Sequence, residues 1–243
     1  MKMVTERIKE KKLQLDECGL LFKTAAIKLE RLSQIELINF SNAHNLTKHE
    51  VEILVKKNIM VGKKSIKEYM VAINYIKAIN YMYGLIEKPF TNYMQQDIKM
   101  IHSLALKNIN INAGYFRKTS NKIAKLSIKT PYPRRVELLM NEVFLWLNMV
   151  QDNLVTVAVE AHLKLVSIHP FNDGNGRCAR LFMSLILMRG GYPLIGFLKE
   201  DRLKYIKAIA KAQLTNDLTD YHQYMYQNIE KSLDKYLHFF NVS

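Results

Sequence analysis

Apolar residues recur at three- and four-residue spacing through nearly all of the 243-residue chain, so the elements it predicts are helices. Two helix starts are written as capping boxes, Thr47 with Glu50 and Ser65 with Glu68. In each, hydroxyl and carboxylate satisfy backbone donors that the first turn leaves over. After the second box, Ile66, Tyr69, Met70, Ile73 and Ile76 form a stripe that predicts a core-facing helix ended by Gly84. Further helices are expected over 91–108, 135–150, 154–168, 175–189, 202–213 and from 219 to the C-terminus. The stretch VKKNIMVGKK between the two boxes would also suit a helix-turn-helix DNA reader. The helix after it, however, carries the apolar stripe and little polar face for reading bases, so the pair is taken as a packing unit.

Between 114 and 133 the helical pattern gives way. Short alternation around Ile123, Lys125, Leu126 and Ile128, bounded by Gly and Pro, predicts a small hairpin or extended flap.

The chemistry concentrates in twelve residues. A helix with Leu154, Ala158, Ala161, Leu165 and Ile168 on one face runs into His169, and Pro170 forces the residue before it out of helical geometry. Phe171 follows as a buried anchor, then Asn172, Asp173, Gly174, Asn175, Gly176 and Arg177, whose glycines allow a tight bend before the next helix. Such a loop aims backbone N–H groups and the positive end of a helix dipole at one point, which is a cradle for anions. Around it stand an imidazole to take a proton, a carboxylate for Mg²⁺, and Arg177 with Arg180 three residues on for a polyphosphate.

The run HPFNDGNGRCAR matches the signature HPFx(D/E)GN(G/K)Rxx(R) at every defined position, and on these residues the chain resembles the Fic family. The likeness takes in Ala113, Gly114 and Arg117 upstream and Gly190-Gly191-Tyr192-Pro193, Arg202, Tyr205 and Asp217-Leu218-Thr219 downstream. It implies an all-α, Fic-type helical bundle with a small β-hairpin flap and an N-terminal helical extension, divided as 1–85 for the extension and 86–243 for the Fic domain. It implies a protein adenylyltransferase: ATP is the substrate, Mg²⁺ the cofactor, and AMP passes to a Ser, Thr or Tyr hydroxyl of a target protein while pyrophosphate leaves. Self-modification and a homodimer are the other partner expectations. By the same resemblance His169 deprotonates the acceptor, Asp173 holds Mg²⁺, and Gly174, Asn175 and Gly176 cradle phosphates. Arg177 neutralises the departing charge, and Arg180 is the second motif arginine. Lys122, Ile123, Ala124, Lys125 and Leu126 would be the flap that aligns an extended target segment. Tyr205 would lie beside the adenine, with an ordinary packing aromatic as the open alternative.

One part of the pattern is missing. Many relatives carry an inhibitory helix, (S/T)xxxE(G/N), whose glutamate pairs with the second motif arginine. Here the corresponding stretch is Ser41, Asn42, Ala43, His44 and Asn45 before Leu46-Thr47, and the glutamate is gone. Glu36 lies nearby but has Leu32 four residues before it and Leu37 after it, so it meets neither flanking requirement. The expectation is transfer without glutamate-based autoinhibition, the alternative being that Glu36 or a second protomer supplies the contact.

Competing functions fare less well. Phosphate-transferring relatives carry lysine where Gly176 stands, which counts against that variant; UMP and phosphocholine transfer stay open as alternatives. A non-catalytic nucleotide module would have no use for His169 with Asp173, and a metal hydrolase through His162, His169 and Asp173 lacks an HExxH-like pairing. De-AMPylation leans on the missing glutamate. The remaining histidines, His44, His49, His102, His222 and His238, read as surface or capping residues.

Composition changes this picture little. The net charge of +14, from 36 basic and 22 acidic residues, is spread along almost every segment beside Ile and Asn, so it reads as compositional bias and nucleic acid is not expected as a partner. No apolar run approaches the ~18 residues of a membrane span, and the N-terminal MKMVTERIKEKK lacks the apolar core of a secretory signal, so a cytoplasmic protein without membrane contact is expected. Cys18 and Cys178 have no metal-ligand spacing and read as reduced, buried thiols.

Overall fold

The structure, a computed structural model, describes residues 2–18, 21–41, 46–87, 92–121 and 128–240. It is built of helices: α1 (Lys2–Glu17), α2 (Leu21–Ser41), α3 (Lys48–Lys57), α4 (Ile66–Ile86), α5 (Gln95–Ala105), α6 (Val136–Met149), α7 (Leu154–Ile168), α8 (Asn175–Arg189), α9 (Arg202–Thr215) and α10 (Thr219–Phe239). The all-α expectation holds, and no β-strand occurs among the described residues. The expected flap residues, Lys122 to Leu126, lie outside the described residues, as do Asn42, Ala43, His44 and Asn45. Ser41 is the last residue of α2. No helix among the described residues is long and apolar enough to cross a membrane.

Both capping boxes form. Thr47 N–H donates to Glu50 at 2.7 Å while Glu50 N–H donates to the Thr47 hydroxyl at 3.2 Å. Ser65 and Glu68 repeat the exchange at 2.8 and 3.4 Å. The stripe on α4 is different from the one predicted. Tyr69, Ala72, Tyr75, Ile79 and Met82 are buried, whereas Ile66 is 69% exposed and Met70, Ile73 and Ile76 are half-buried. The sequence offers two overlapping apolar stripes, and packing against α5 selects the one centred on Tyr75. Nor does Gly84 end the helix. It has no positive φ, and α4 runs on to Ile86 with Glu87 as its cap. The fifth helix is also shorter than expected, starting only where Asp97 receives the Met94 N–H at 3.0 Å and stopping at Leu106, which is no longer helical.

The chain divides into two compact units, one of Met1–Lys63 with Leu187–Ser243 and one of Lys64–Ile186. In the first, α1 packs along α10 and is tied to it by Arg7 on Glu230 at 3.0 Å and Lys11 on Glu230 at 3.0 Å and Asp234 at 2.6 Å. Phe40, Phe197 and Tyr205 form an aromatic cluster with centroids 5.2 to 6.0 Å apart. Glu36 belongs to this unit: Lys235 donates to its Oε1, and its Oε2 lies so close to Gly196 that a Cβ there would sit 1.8 Å away.

The second unit holds α4 to α7 and the loop entering α8. Asn148 of α6 uses both ends of its amide on the main chain of Tyr93, at 2.8 and 2.9 Å. Asn74, fully buried in α4, donates to the Lys107 carbonyl at 2.6 Å and so fixes the chain leaving α5. Replacing Asn74 with Ala should lower the urea-unfolding free energy by about 1–3 kcal/mol, because a buried carbonyl loses its donor. A change below a few tenths would mean that water or another group serves Lys107.

Candidate active site

The loop between α7 and α8 is shaped by local sequence first. Asn153 caps α7, its side chain accepting from Val155 N–H at 2.9 Å. At the other end His169 adopts the left-handed conformation, φ 53° and ψ 57°, with its N–H still donating to Leu165 at 3.0 Å. This is the helix exit that Pro170 predicted. The imidazole Nδ1 lies 3.3 Å from the Val166 carbonyl. A carbonyl can only accept, so Nδ1 carries the proton and Nε2 keeps its lone pair. Burial holds the imidazole below its ordinary pKa, and the nearby Arg117 charge pushes the same way against the Val166 hydrogen bond. His169 is therefore neutral at pH 7 and has an acceptor nitrogen.

Phe171 is buried as expected, with its ring stacked on His102 at 3.7 Å and 8°. Asn175 is also buried, and its amide closes on one residue: it accepts from Phe171 N–H and donates to Phe171 O, both at 2.8 Å. The Asn175 side chain thus shapes the loop from within. Gly174 takes φ +75°, and a Cβ there would meet Leu106 at 3.0 Å, so both conformation and space call for glycine. Cys178 N–H makes the first helical bond, to Gly174 O at 2.9 Å. The N–H groups of Asn175, Gly176 and Arg177 come before it, at the positive end of α8.

The Asp173 side chain is open to solvent, 63% exposed. Its Oδ1 accepts from Gly174 N–H at 2.6 Å and its Oδ2 from Arg177 at 3.2 Å. A lone exposed carboxylate beside an anion cradle suits Mg²⁺, which takes one or two carboxylates and completes its shell with water and phosphate oxygens. Arg180 is buried and packs over Gly176, where a Cβ would meet its Nη1 at 3.3 Å. Cys178 is buried as read, its thiol pushed up to about 12, while Cys18 is only half-buried.

Two residues that fix the loop were not assigned a role from sequence. Arg117, 2% exposed, spreads its guanidinium over main-chain carbonyls: Nε to His169 at 2.8 Å, one terminal nitrogen to Thr119 at 3.1 Å, the other to Pro131 at 2.6 Å and Ile168 at 3.4 Å. Its own N–H donates to Pro170 at 2.8 Å. His102 is 1% exposed, not a surface residue. Gly114 N–H donates to its Nδ1 at 2.7 Å, so the proton is on Nε2, which donates to the Asp173 carbonyl at 2.9 Å. A signal was available, because Ile98, Ile101, His102 and Ala105 share the buried face of α5. His222 is buried on α10 in the same way, whereas His49 and His238 are exposed as read and His44 lies outside the described residues. The chain flanking the expected flap is pinned here too: Asn121 donates to Phe171 O at 3.0 Å, and the Thr130 hydroxyl donates to Asn121 O at 2.8 Å. Tyr205 belongs to the other unit, where its ring is 6% exposed and packed on Phe40, Phe197 and Tyr224.

A family model described as Fic/DOC family matches residues 89–187, which include the whole of this loop. This chain carries a Fic/DOC domain. It is 33% identical over 188 residues to a protein named protein adenylyltransferase Fic from Aedes aegypti, covering 76% of this chain and 37% of that one. It is 30% identical over 202 residues to protein adenylyltransferase fic-1 from Caenorhabditis elegans, covering 80% and 39%. The chain thus spans about two fifths of the length of these curated relatives. A solved structure of Fic-1 from C. elegans superposes with a TM-score of 0.86 at 25% identity, over 99% of this chain and 72% of that one. A Fic domain protein from Bacteroides thetaiotaomicron shares the fold, with a TM-score of 0.82 at 20% identity.

Burial brings the pKa of His102 down to about 4 and that of His162, also in the Fic domain, down to about 3, from an ordinary 6.5. The unfolded chain therefore takes up these protons first, and stability is lost as pH falls below 6.5. Urea midpoints should drop steadily between pH 6.5 and 4. His102→Gln, which does not titrate, should flatten the slope, and an unchanged slope would show that His102 is protonated alike in both states.

Proposed function

We propose that this Fic domain transfers AMP from ATP to a Ser, Thr or Tyr hydroxyl of a target protein. The observation that carries the reading is the His169 imidazole, held neutral with Nδ1 on Val166 and Nε2 available, four residues before the Asp173 carboxylate and six before the start of α8. Proteins similar to this chain are named adenylyltransferases, which supports the same reaction.

In this reading Nε2 of His169 takes the proton of the acceptor hydroxyl. The oxygen forms a bond to the α-phosphorus while the bond to the β-phosphate bridging oxygen breaks, and pyrophosphate leaves with that electron pair. The N–H groups of Asn175, Gly176 and Arg177 receive phosphate oxygens, and Arg177 turns from Asp173 to the departing charge. Arg180 is the second cation for the polyphosphate. Asp173 would hold Mg²⁺, which supplies charge neutralisation across the phosphate oxygens. The flap, Lys122 to Leu126, would pair with an extended segment of the target through its main chain. Modification of the chain itself, a homodimer and a cytoplasmic location belong to the same reading.

Transfer without glutamate-based inhibition is also part of the proposal. The glutamate is absent from the 41–47 stretch, and Glu36 is engaged by Lys235 with Gly196 behind it.

Intact-mass spectrometry after incubation with ATP and Mg²⁺, on the chain and on added lysate proteins, tests the reading. The expected product gains one AMP, and His169→Ala lowers the rate by about 10²–10⁴-fold. Because the His169 pKa is lowered, the fall in rate with acid should come at a lower pH than an ordinary imidazole would give. Equal labelling by His169→Ala would remove the base from the mechanism. Glu36→Ala should leave the rate unchanged, and labelling that appears only in that variant would overturn release from inhibition.

A further inference from the structure

A cavity of about 720 Å³ opens in the Fic domain between α5, the 113–118 segment and residues 133–137. It is not the α8 cradle, and the reaction described above makes no use of it. Its volume falls within the range of ligand-binding sites. The charged side chains that line it are Lys99, Arg117, Lys118 and Arg134 against Glu137 alone. Arg117 is committed to main-chain carbonyls. Lys99 sits over the Phe116 ring, 4.4 Å from its centroid, and Arg134 over Tyr132 at 5.9 Å. Among the described residues none of Lys99, Lys118, Arg134 and Glu137 takes part in an ion pair, in contrast to Lys11, Lys204 and Lys211, which all have carboxylate partners.

We propose that this cavity docks an acidic segment of the protein substrate. Three cations line it with a single carboxylate, Glu137, to which none of them is ion-paired, so a ligand that brings carboxylates gains charge-assisted hydrogen bonds without first breaking ion pairs. Aromatic faces at Phe116 and Tyr132 hold two of the cations in place and leave their outer N–H groups for the ligand. The position gives docking a consequence. The cavity wall includes Gly114, which His102 connects to the Asp173 carbonyl, and Arg117, which holds the His169 carbonyl. A segment anchored there is kept beside the catalytic loop, which raises the effective concentration of a hydroxyl elsewhere on the same target.

The partner is named as the substrate on the strength of the transfer reaction proposed above, so docking is measured without turnover. The probe is a fluorescein-labelled oligo-glutamate peptide, read by fluorescence anisotropy on the full chain without ATP and compared with its glutamine counterpart. The glutamate peptide should bind about tenfold more tightly or better. Lys99→Glu/Lys118→Glu/Arg134→Glu should abolish binding, and the same three positions changed to Gln should weaken it by about tenfold, which guards against misfolding of the reversed variant. Reversal of three exposed lysines elsewhere, Lys57, Lys63 and Lys67, should leave binding intact, as should His169→Ala. Equal binding of the two peptides, or equal loss from both lysine sets, would overturn the site in favour of diffuse attraction to a basic protein. Tighter binding of a single-stranded oligonucleotide at the same three residues would overturn the class of partner. AMP transfer failing while docking stands removes the reaction and leaves the site, and the converse removes the site alone.

Discussion

The Arg117 guanidinium is the contact on which the geometry of the Fic loop depends. A buried cation is costly unless its donors are used, and here they are used on carbonyls of Thr119, Pro131, Ile168 and His169. Those carbonyls belong to the end of α7 and to the chain on either side of the expected flap. The last turn of a helix leaves its carbonyls without partners, and Arg117 meets that need at Ile168 and His169 while also holding the Thr119 and Pro131 carbonyls. The orientation of the His169 ring, the left-handed turn at its Cα and the anchoring of Asn121 on Phe171 are all compatible with that one placement.

His102 complements it on the far side of the loop. Arg117 holds the entry at His169 and His102 holds the middle at Asp173, and both lead back to the 114–117 segment. His169 and Asp173 therefore share a support outside the motif. A disturbance of that segment reaches both at once, without any change in the twelve residues themselves.

Much of the loop was legible in the sequence because its causes are local. Pro170 sets the exit of α7, Gly174 permits a positive φ, and the boundaries of α7 and α8 fall where periodicity and breakers put them. The supports were not legible, because His102 and Arg117 act across 71 and 52 residues of sequence and spacing carries no signal at that range. Histidine on an apolar face has two readings, and only the Gly114 and Asp173 partners decide between them. The stripe on α4 failed for a related reason: with apolar residues on more than half the helix, the partner surface of α5 decides which face is buried. Asn175 shows a subtler limit. The motif places Asn175 among the residues that cradle phosphates, and in the structure its amide serves the Phe171 main chain.

That Asn175 amide makes a ring of the loop. Both its hydrogen bonds return to Phe171, so the backbone from 171 to 175 is cyclised without a covalent bond. Its torsional freedom is given up once, when the domain folds, and little would remain to be lost on binding an anion. Under the proposed reaction, binding at such a preorganised turn would leave nearly all of the phosphate contact energy for discrimination and catalysis.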